Sequence, residues 1–437
     1  MSHAPAQPRT ITATIAGVPR IGPRRELKRA LEMYWMDPTK GHALATTATR
    51  LTNTYCDELT DAGLDSIPTA GRSYYDAVLD TQALLGVLPE RFDAIPDHDN
   101  DGLPRDVDRL FATARGTAEI PAATMTKWFD TNYHYIVPEL TAGTQFRLDA
   151  DAFLTDIAAQ VTRGTVARPV LIGPLTFLSL AKTTDGSDPL DHLEDVFAAY
   201  GRLLPRLAQA LQPKAALGSK SKRTELPWVQ FDEPTLVTDC EPYLDRVRAG
   251  YAALAAQGCA RLLVQTYFGD GDRAVRALSG IGLGAIGVDL TRPADRALPS
   301  WDGSTPLLAG VVDGRNVWRT DLAQALATLR DLQARGPVGV STSCSLLHVP
   351  YSLAQESSLD QDPELRSWLA FGAEKITEVA ALARLLRGTP IAADLELLAE
   401  SKRAAASRRS SHRTHDPAVR ARAAAITAAD RHRAPYA

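Results

Sequence analysis

At 437 residues and 45% hydrophobic, the chain can bury a sizeable core as one α/β unit or as several smaller domains. Its net charge of −4 gives no global basis for binding nucleic acid or an anionic membrane surface, although residues 401–437 carry +7 and leave −11 for the rest. Four cysteines, a polar MSHAPAQPRT opening without a signal-like apolar run, and no stretch near the ~18 apolar residues of a membrane helix together predict a cytoplasmic protein.

Residues 1–10 are expected to be disordered, and 11–397 to form the folded unit. Eight short β-rich apolar runs follow in order: 11–17 (ITATIAG), 132–137 (NYHYIV), 169–173, 228–232 (WVQFD), 262–267, 285–290, 307–312 and 338–343. Helical periodicity separates the later runs, at 189–211, 241–257, 319–335 and 363–387. Near-continuous apolar strands alternating with helices indicate a parallel sheet covered on both faces, and eight of them a closed (β/α)8 TIM barrel. The rival is an open doubly wound sheet, but no Gly-rich phosphate turn follows the first strand. GIGLGAIG at 280–287 precedes its strand, so its glycines cannot place a pyrophosphate on the next helix.

The first connection is over 100 residues long, with helical patterns near 24–36, 40–62 and 74–86. A structureless loop of that length is improbable, so a helical insertion over about 24–125 is expected to lie across one barrel face. The basic, Ala-rich segment 398–437 has the composition of an interdomain linker.

In a barrel of this kind reactive groups gather at the C-terminal strand ends. Those positions hold Arg20 and Gly22, Asp232 and Glu233, Gln265 and Tyr267, Asp289, Asp313, and Cys344 with His348. Taken singly, each serves equally well as a helix cap or structural polar group; as a set they describe a polar mouth. In GVPRIGPRRELKRALEMYW, Leu27, Leu31 and Tyr34 form a buried stripe, with Pro23 where a helix would begin. Arg24, Arg25, Lys28 and Arg29 crowd the first turns, where cations oppose the helix dipole unless an anion binds. A solvated basic face is the plainer alternative. Lys127, beside Trp128, is either a snorkelling surface residue or a point charge for a carboxylate. Cys344 and His348 are the only close Cys/His pair, and two ligands do not make a zinc site, so no metal is expected in this chain.

The blocks VPRIGPRRELKRALEMYW, SYYDAVLDTQALLGVLPERF, MTKWFDTNYHYIVPE, RPVLIGPLTFLSLAK, WVQFDEPTLV, TYFGD, GVVDGRNVWRTDL and STSCSLLHVPYSL occur in this order. Together they resemble the N-terminal half of cobalamin-independent methionine synthase, from about residue 11 onward. The resemblance implies one of two face-to-face (β/α)8 barrels that transfer a methyl group from 5-methyltetrahydrofolate polyglutamate to homocysteine. Zinc, its ligands and the homocysteine pocket belong to the second, C-terminal catalytic barrel, which would be this chain's partner. By matching motif, Arg25, Glu26, Leu27, Lys28 and Lys127 would bind the folate polyglutamate; no catalytic residue and no cofactor are carried over. The family's Gly-Asp-Phe-Ser block reads AGRS at Ala70–Ser73, which exchanges an acidic–aromatic pair for Gly71–Arg72. Two readings follow: a folate-binding barrel active only with its second barrel, or a freestanding relative recruited to another methyl transfer or to binding alone.

Overall fold

The computed structural model describes residues 10–96, 102–212, 225–292 and 300–432, so most of the N-terminal segment expected to be disordered lies outside the described residues. Seven parallel strands form one curled sheet: β1 Ile67–Thr69, β2 Ala167–Ile172, β3 Trp228–Asp232, β4 Arg261–Gln265, β5 Ala285–Asp289, β6 Leu307–Val312 and β7 Val338–Thr342, neighbours in that order. Every residue of β3, β5 and β6 is buried, as a sheet covered on both faces requires.

Residues 11–16 fill the eighth position. Thr14 N–H donates to Val340 O at 3.0 Å and Val340 N–H to Thr12 O at 3.0 Å, in a parallel bridge to β7. On the other side, Asp65 N–H donates to Ala13 O at 3.1 Å and the Asp65 carboxylate accepts from Thr12 N–H at 2.9 Å. Gly339 permits this approach, because a Cβ there would strike Ile11 O. The sheet is thereby closed into a (β/α)8 barrel without a free edge.

The barrel interior is layered. An apolar plug of Ile11, Trp228, Leu263, Ala285 and Leu308 fills the end where the strands begin. Beyond it lies Arg168, fully buried, with Nε donating to Gln230 Oε1 (2.9 Å). Its Nη atoms reach Thr14 Oγ1 (2.7 Å), Ser66 Oγ (2.9 Å), Ser66 O (3.3 Å) and Ile15 O (2.8 Å). One guanidinium thus stitches the closing segment to β2, β3 and the residue before β1.

One strand assignment changes. The run 132–137 does not enter the barrel: His134–Ile136 pairs antiparallel with Met125–Lys127 in a hairpin. Its place is taken by Ile67–Thr69, whose Pro68 lacks a ladder donor and breaks the apolar pattern that marks a strand. The helical region 24–125 is accordingly divided by β1. Helices Glu26–Met36 and Gly41–Asp61 precede that strand, whereas Ala77–Leu84 and Val107–Arg115 follow it. These helices share a second core with Leu27, Leu31, Tyr34, Leu51 and Phe111.

The boundary placed at 397/398 falls inside a continuous helix, Ala392–Ser410, packed on helices Leu322–Gln333 and Gly372–Leu386. Ser401 Oγ donates to Thr320 O at 2.7 Å and accepts from Leu322 N–H at 3.0 Å, and Arg384 pairs with Asp394 at 2.6 Å. Beyond it the chain leaves the barrel wall, in the fully exposed helix Pro417–Ala424.

Candidate functional site

A cleft opens between the barrel mouth and the helical layer, walled by apolar side chains such as Val18, Leu27, Leu51 and Trp128, with Asp232 and Tyr267 at its polar end. The strand ends build that polar end. Gln230 is held by Arg168 and by its own Nε2 donating to Ala16 O at 3.1 Å; the same Nε2 donates to Asp232 Oδ1 at 2.6 Å. Tyr267 Oη donates to Asp232 Oδ2 at 3.1 Å. A hydrogen-bonded chain therefore runs from the barrel centre to its mouth. Burial raises the Asp232 carboxyl to about 7, against the opposing pull of these donors and of Arg168.

Glu233, the next residue, turns away from the cleft. Its carboxylate accepts from Leu175 N–H (3.1 Å) and Thr176 N–H (2.8 Å) in the helix after β2, and from Tyr251 Oη (2.8 Å). Gly173 leaves the room for it, since a Cβ there would overlap the carboxyl. Glu233 is a structural strut.

Next to the lining residues Trp128 and Tyr267, two aromatic residues are strained. Phe129 (φ 50°) and Phe268 (φ 75°) both adopt left-handed backbone, with ring centroids 5.8 Å apart. For non-glycine residues such conformations cost about 1–3 kcal/mol each and persist only where packing fixes them. Arg315 supplies part of that packing: it lies over the Phe268 ring at 4.7 Å and pairs with Asp130 at 2.8 Å, beside Phe129. His348 meets Phe268 (5.6 Å) and Tyr133 (6.3 Å) edge to face; burial, then Arg315, lowers its pKa to about 4, so the ring stays neutral.

Burial, reinforced by Asp289 and Asp313, pushes the Cys344 thiol well above its ordinary range, the opposite of what a nucleophilic thiolate needs. Asp289 spends both oxygens on Thr291 N–H (2.8 Å), Thr291 Oγ1 (2.6 Å) and Phe268 N–H (3.3 Å). These residues do not fit zinc, and among the described residues no three His, Cys, Asp or Glu side chains form a group that could hold a metal.

The five residues carried over by motif lie at the opposite wall and the rim. The helix begins at Glu26, not at Pro23, and Arg25 is its N-cap in left-handed conformation (φ 62°, ψ 35°). Glu26 accepts from Arg24 N–H at 3.0 Å, so one acidic group already answers the dipole there. Leu27 is buried and lines the cleft, whereas Arg25 and Lys28 are exposed. Lys28 Nζ lies 3.7 Å from Glu32 one turn on, with both side chains about half exposed. Lys127 is exposed on the hairpin, opposite His134. The altered Gly71–Arg72 pair has a structural role: Arg72 pairs with Asp156 at 2.9 Å and donates to Gly102 O at 2.6 Å, tying the loop after β1 to helix Asp151–Thr162. Arg168 and Gln230, which organise the mouth from beneath, were not among the candidates; the only signal is a charged and an amide residue inside otherwise apolar strands.

Fold and site define a (β/α)8-barrel protein whose mouth is roofed by its own insertion and which carries a cationic helix at the rim. The model for "Cobalamin-independent synthase, N-terminal domain" matches residues 12–337, and the chain belongs to that family. Among curated relatives, a 5-methyltetrahydropteroyltriglutamate–homocysteine methyltransferase of Corynebacterium efficiens is 60% identical over 426 residues, covering 97% of this chain and 53% of that protein. The protein of the same name from Mycobacterium tuberculosis is 48% identical, covering 98% of this chain and 54% of its own length. The chain thus spans about half the length of these relatives. A B12-independent methionine synthase structure from Shewanella sp. W3-18-1 superposes with a TM-score of 0.56 at 15% identity, covering 89% of this chain and 99% of that one, a likeness of fold. Among the described residues no helix is long and apolar enough to cross a membrane.

Proposed function

We propose that this chain is a folate-polyglutamate-binding barrel that supports methyl transfer from 5-methyltetrahydrofolate polyglutamate to homocysteine together with a second, zinc-bearing barrel. The observation that carries the proposal is the rim helix: Arg24, Arg25, Lys28 and Arg29 are all exposed at its N-terminal end, above a buried Leu27 that fixes the helix in place. A γ-linked glutamate chain presents successive carboxylates, which suits a row of mobile cations rather than one deep pocket. The exposed Lys28–Glu32 pair contributes at most about 1 kcal/mol, so a ligand carboxylate can replace Glu32 at small cost. Lys127 supplies a further point charge from the hairpin. Activating the homocysteine thiol is assigned to the other barrel, whose zinc would hold it as a thiolate.

Titration with 5-methyltetrahydrofolate carrying one or three glutamates tests this. The triglutamate should bind more tightly, and its advantage should shrink as salt rises. Reversing Lys28 and Lys127 to Glu should abolish that advantage while leaving the circular dichroism unchanged. Equal affinity for the two folates in the unaltered chain would refute the proposal.

A further inference from the structure

A second cleft opens at the C-terminal ends of β5 and β6, lined by Asp313 among others; another wall is helix Ala392–Ser410. Its tryptophans are held in place. Trp318 N–H donates to Asn316 Oδ1 at 3.0 Å and Trp318 bridges Leu369, while Trp368 Nε1 donates to Ser407 Oγ at 3.1 Å. The Arg408 guanidinium lies on the Trp318 ring, 4.0 Å from its centroid.

The charges around Arg408 are already committed. Arg319 pairs with Glu400 at 3.1 Å, and Arg409 with Asp321 at 3.5 Å. Asp313 accepts from Arg315 N–H (2.7 Å), Asn316 N–H (3.1 Å) and Asn316 Nδ2 (2.7 Å). Arg408 differs: among the described residues its side chain has no carboxylate partner and no hydrogen-bond acceptor, only the tryptophan face. Burial alone pulls its pKa down, with no acid to offset it. A guanidinium that stacks on an aromatic ring keeps its in-plane N–H fork free, and that fork matches two oxygens of a carboxylate or phosphate.

We infer that this cleft is a binding site for a small oxyanion-bearing molecule, its carboxylate or phosphate taken by the Arg408 fork on Trp318. The site is separate from the rim helix proposed to hold the polyglutamate.

Tryptophan fluorescence of the full chain, titrated with inorganic phosphate and separately with glutarate at constant ionic strength, reads the site directly. Saturable quenching by either anion is expected: by phosphate alone if the site is built for a phosphate, by glutarate alone if for a carboxylate. Arg408→Ala should weaken that binding at least tenfold, and Arg408→Lys, which keeps the charge but not the fork, should weaken it similarly. The Lys28→Glu, Lys127→Glu double variant should be quenched by the same anion, with the same midpoint, as the unaltered chain. Since Arg408 is on the last turns of a surface helix, its variants should melt within a few degrees of the parent. If neither anion quenches saturably, or if a folded Arg408→Ala chain binds as well as the parent, the inference is wrong.

Discussion

Replacing Arg168 by Met tests whether the barrel is held shut from its centre. Methionine fills much of the same stem volume but brings no donors, so the bonds to Gln230 Oε1, Thr14 Oγ1, Ser66 Oγ, Ser66 O and Ile15 O all vanish. Ser66 O keeps a donor in Thr14 Oγ1 at 2.6 Å, and the two hydroxyls can turn elsewhere. Gln230 Oε1 and Ile15 O are left buried without a strong partner, at about 1–3 kcal/mol each. Relief from burying a cation offsets part of this; that burial already pulls the guanidinium down to about 10. A net loss of about 2–5 kcal/mol is expected, a large share of the ~5–15 kcal/mol that usually holds a domain together. Urea unfolding followed by circular dichroism measures it. Arg168→Lys, which keeps the charge and some donors, should lose roughly half as much. Hydrogen exchange adds a local readout, because the Thr14 and Val340 amides close the barrel and should lose protection first. A methionine variant within about 0.5 kcal/mol of the parent, with both amides still protected, would refute this account.

Asp232→Asn should alter how stability depends on pH. The folded-state carboxyl is raised from 3.8 to about 7, so between those values the folded chain holds a proton that the unfolded chain has lost. Its contribution is therefore present below about pH 4 and disappears as pH rises to 7, by at most about 4 kcal/mol. Asparagine can still accept from Gln230 and meet the Tyr267 hydroxyl, so the variant should show a flatter profile in urea midpoints from pH 4 to 8; parallel curves would contradict the assignment. Gly173→Ala should cost about 1–3 kcal/mol by forcing its Cβ against the buried Glu233 carboxyl, read as a lower melting temperature. A chain ending at residue 397 should be markedly less stable than one ending at 410, because the cut removes Ser401 and Ala404 from the buried face of helix Ala392–Ser410. Equal melting temperatures would restore 398–437 as a separable linker.

The parts of the fold legible in the sequence are those written locally. WVQFD and LLAGVV announce buried strands because every residue faces packed material, and Leu27, Leu31 and Tyr34 announce the rim helix by their spacing. Ile67–Thr69 did not, since three residues containing a proline carry no period; only the ladder partner at 167–169 makes them a strand. NYHYIV misled for the converse reason, because alternation marks any two-stranded ribbon, inside the barrel or above it. At the mouth, Asp232, Tyr267 and Cys344 could be placed by their strand ends. Their protonation could not, because it depends on burial by segments far away in the chain. Arg408 on Trp318 is the extreme case, a pairing across ninety residues for which neither neighbourhood holds a hint.

The pairing of residues 11–16 with β7 also has a consequence for how the chain is made. Ala13 meets Val340, so the first stave of the barrel leaves the ribosome long before its neighbour exists. At ~5–20 residues per second that interval is roughly 15–65 s. Throughout it, one flank of the nascent segment is an open edge of the kind that recruits stray strands. The other flank is served early: Asp65, synthesised some fifty residues later, takes up Thr12 N–H and supplies a donor to Ala13 O. Vectorial synthesis therefore leaves a half-dressed strand waiting for the last stave, and the barrel is sealed only when that stave arrives.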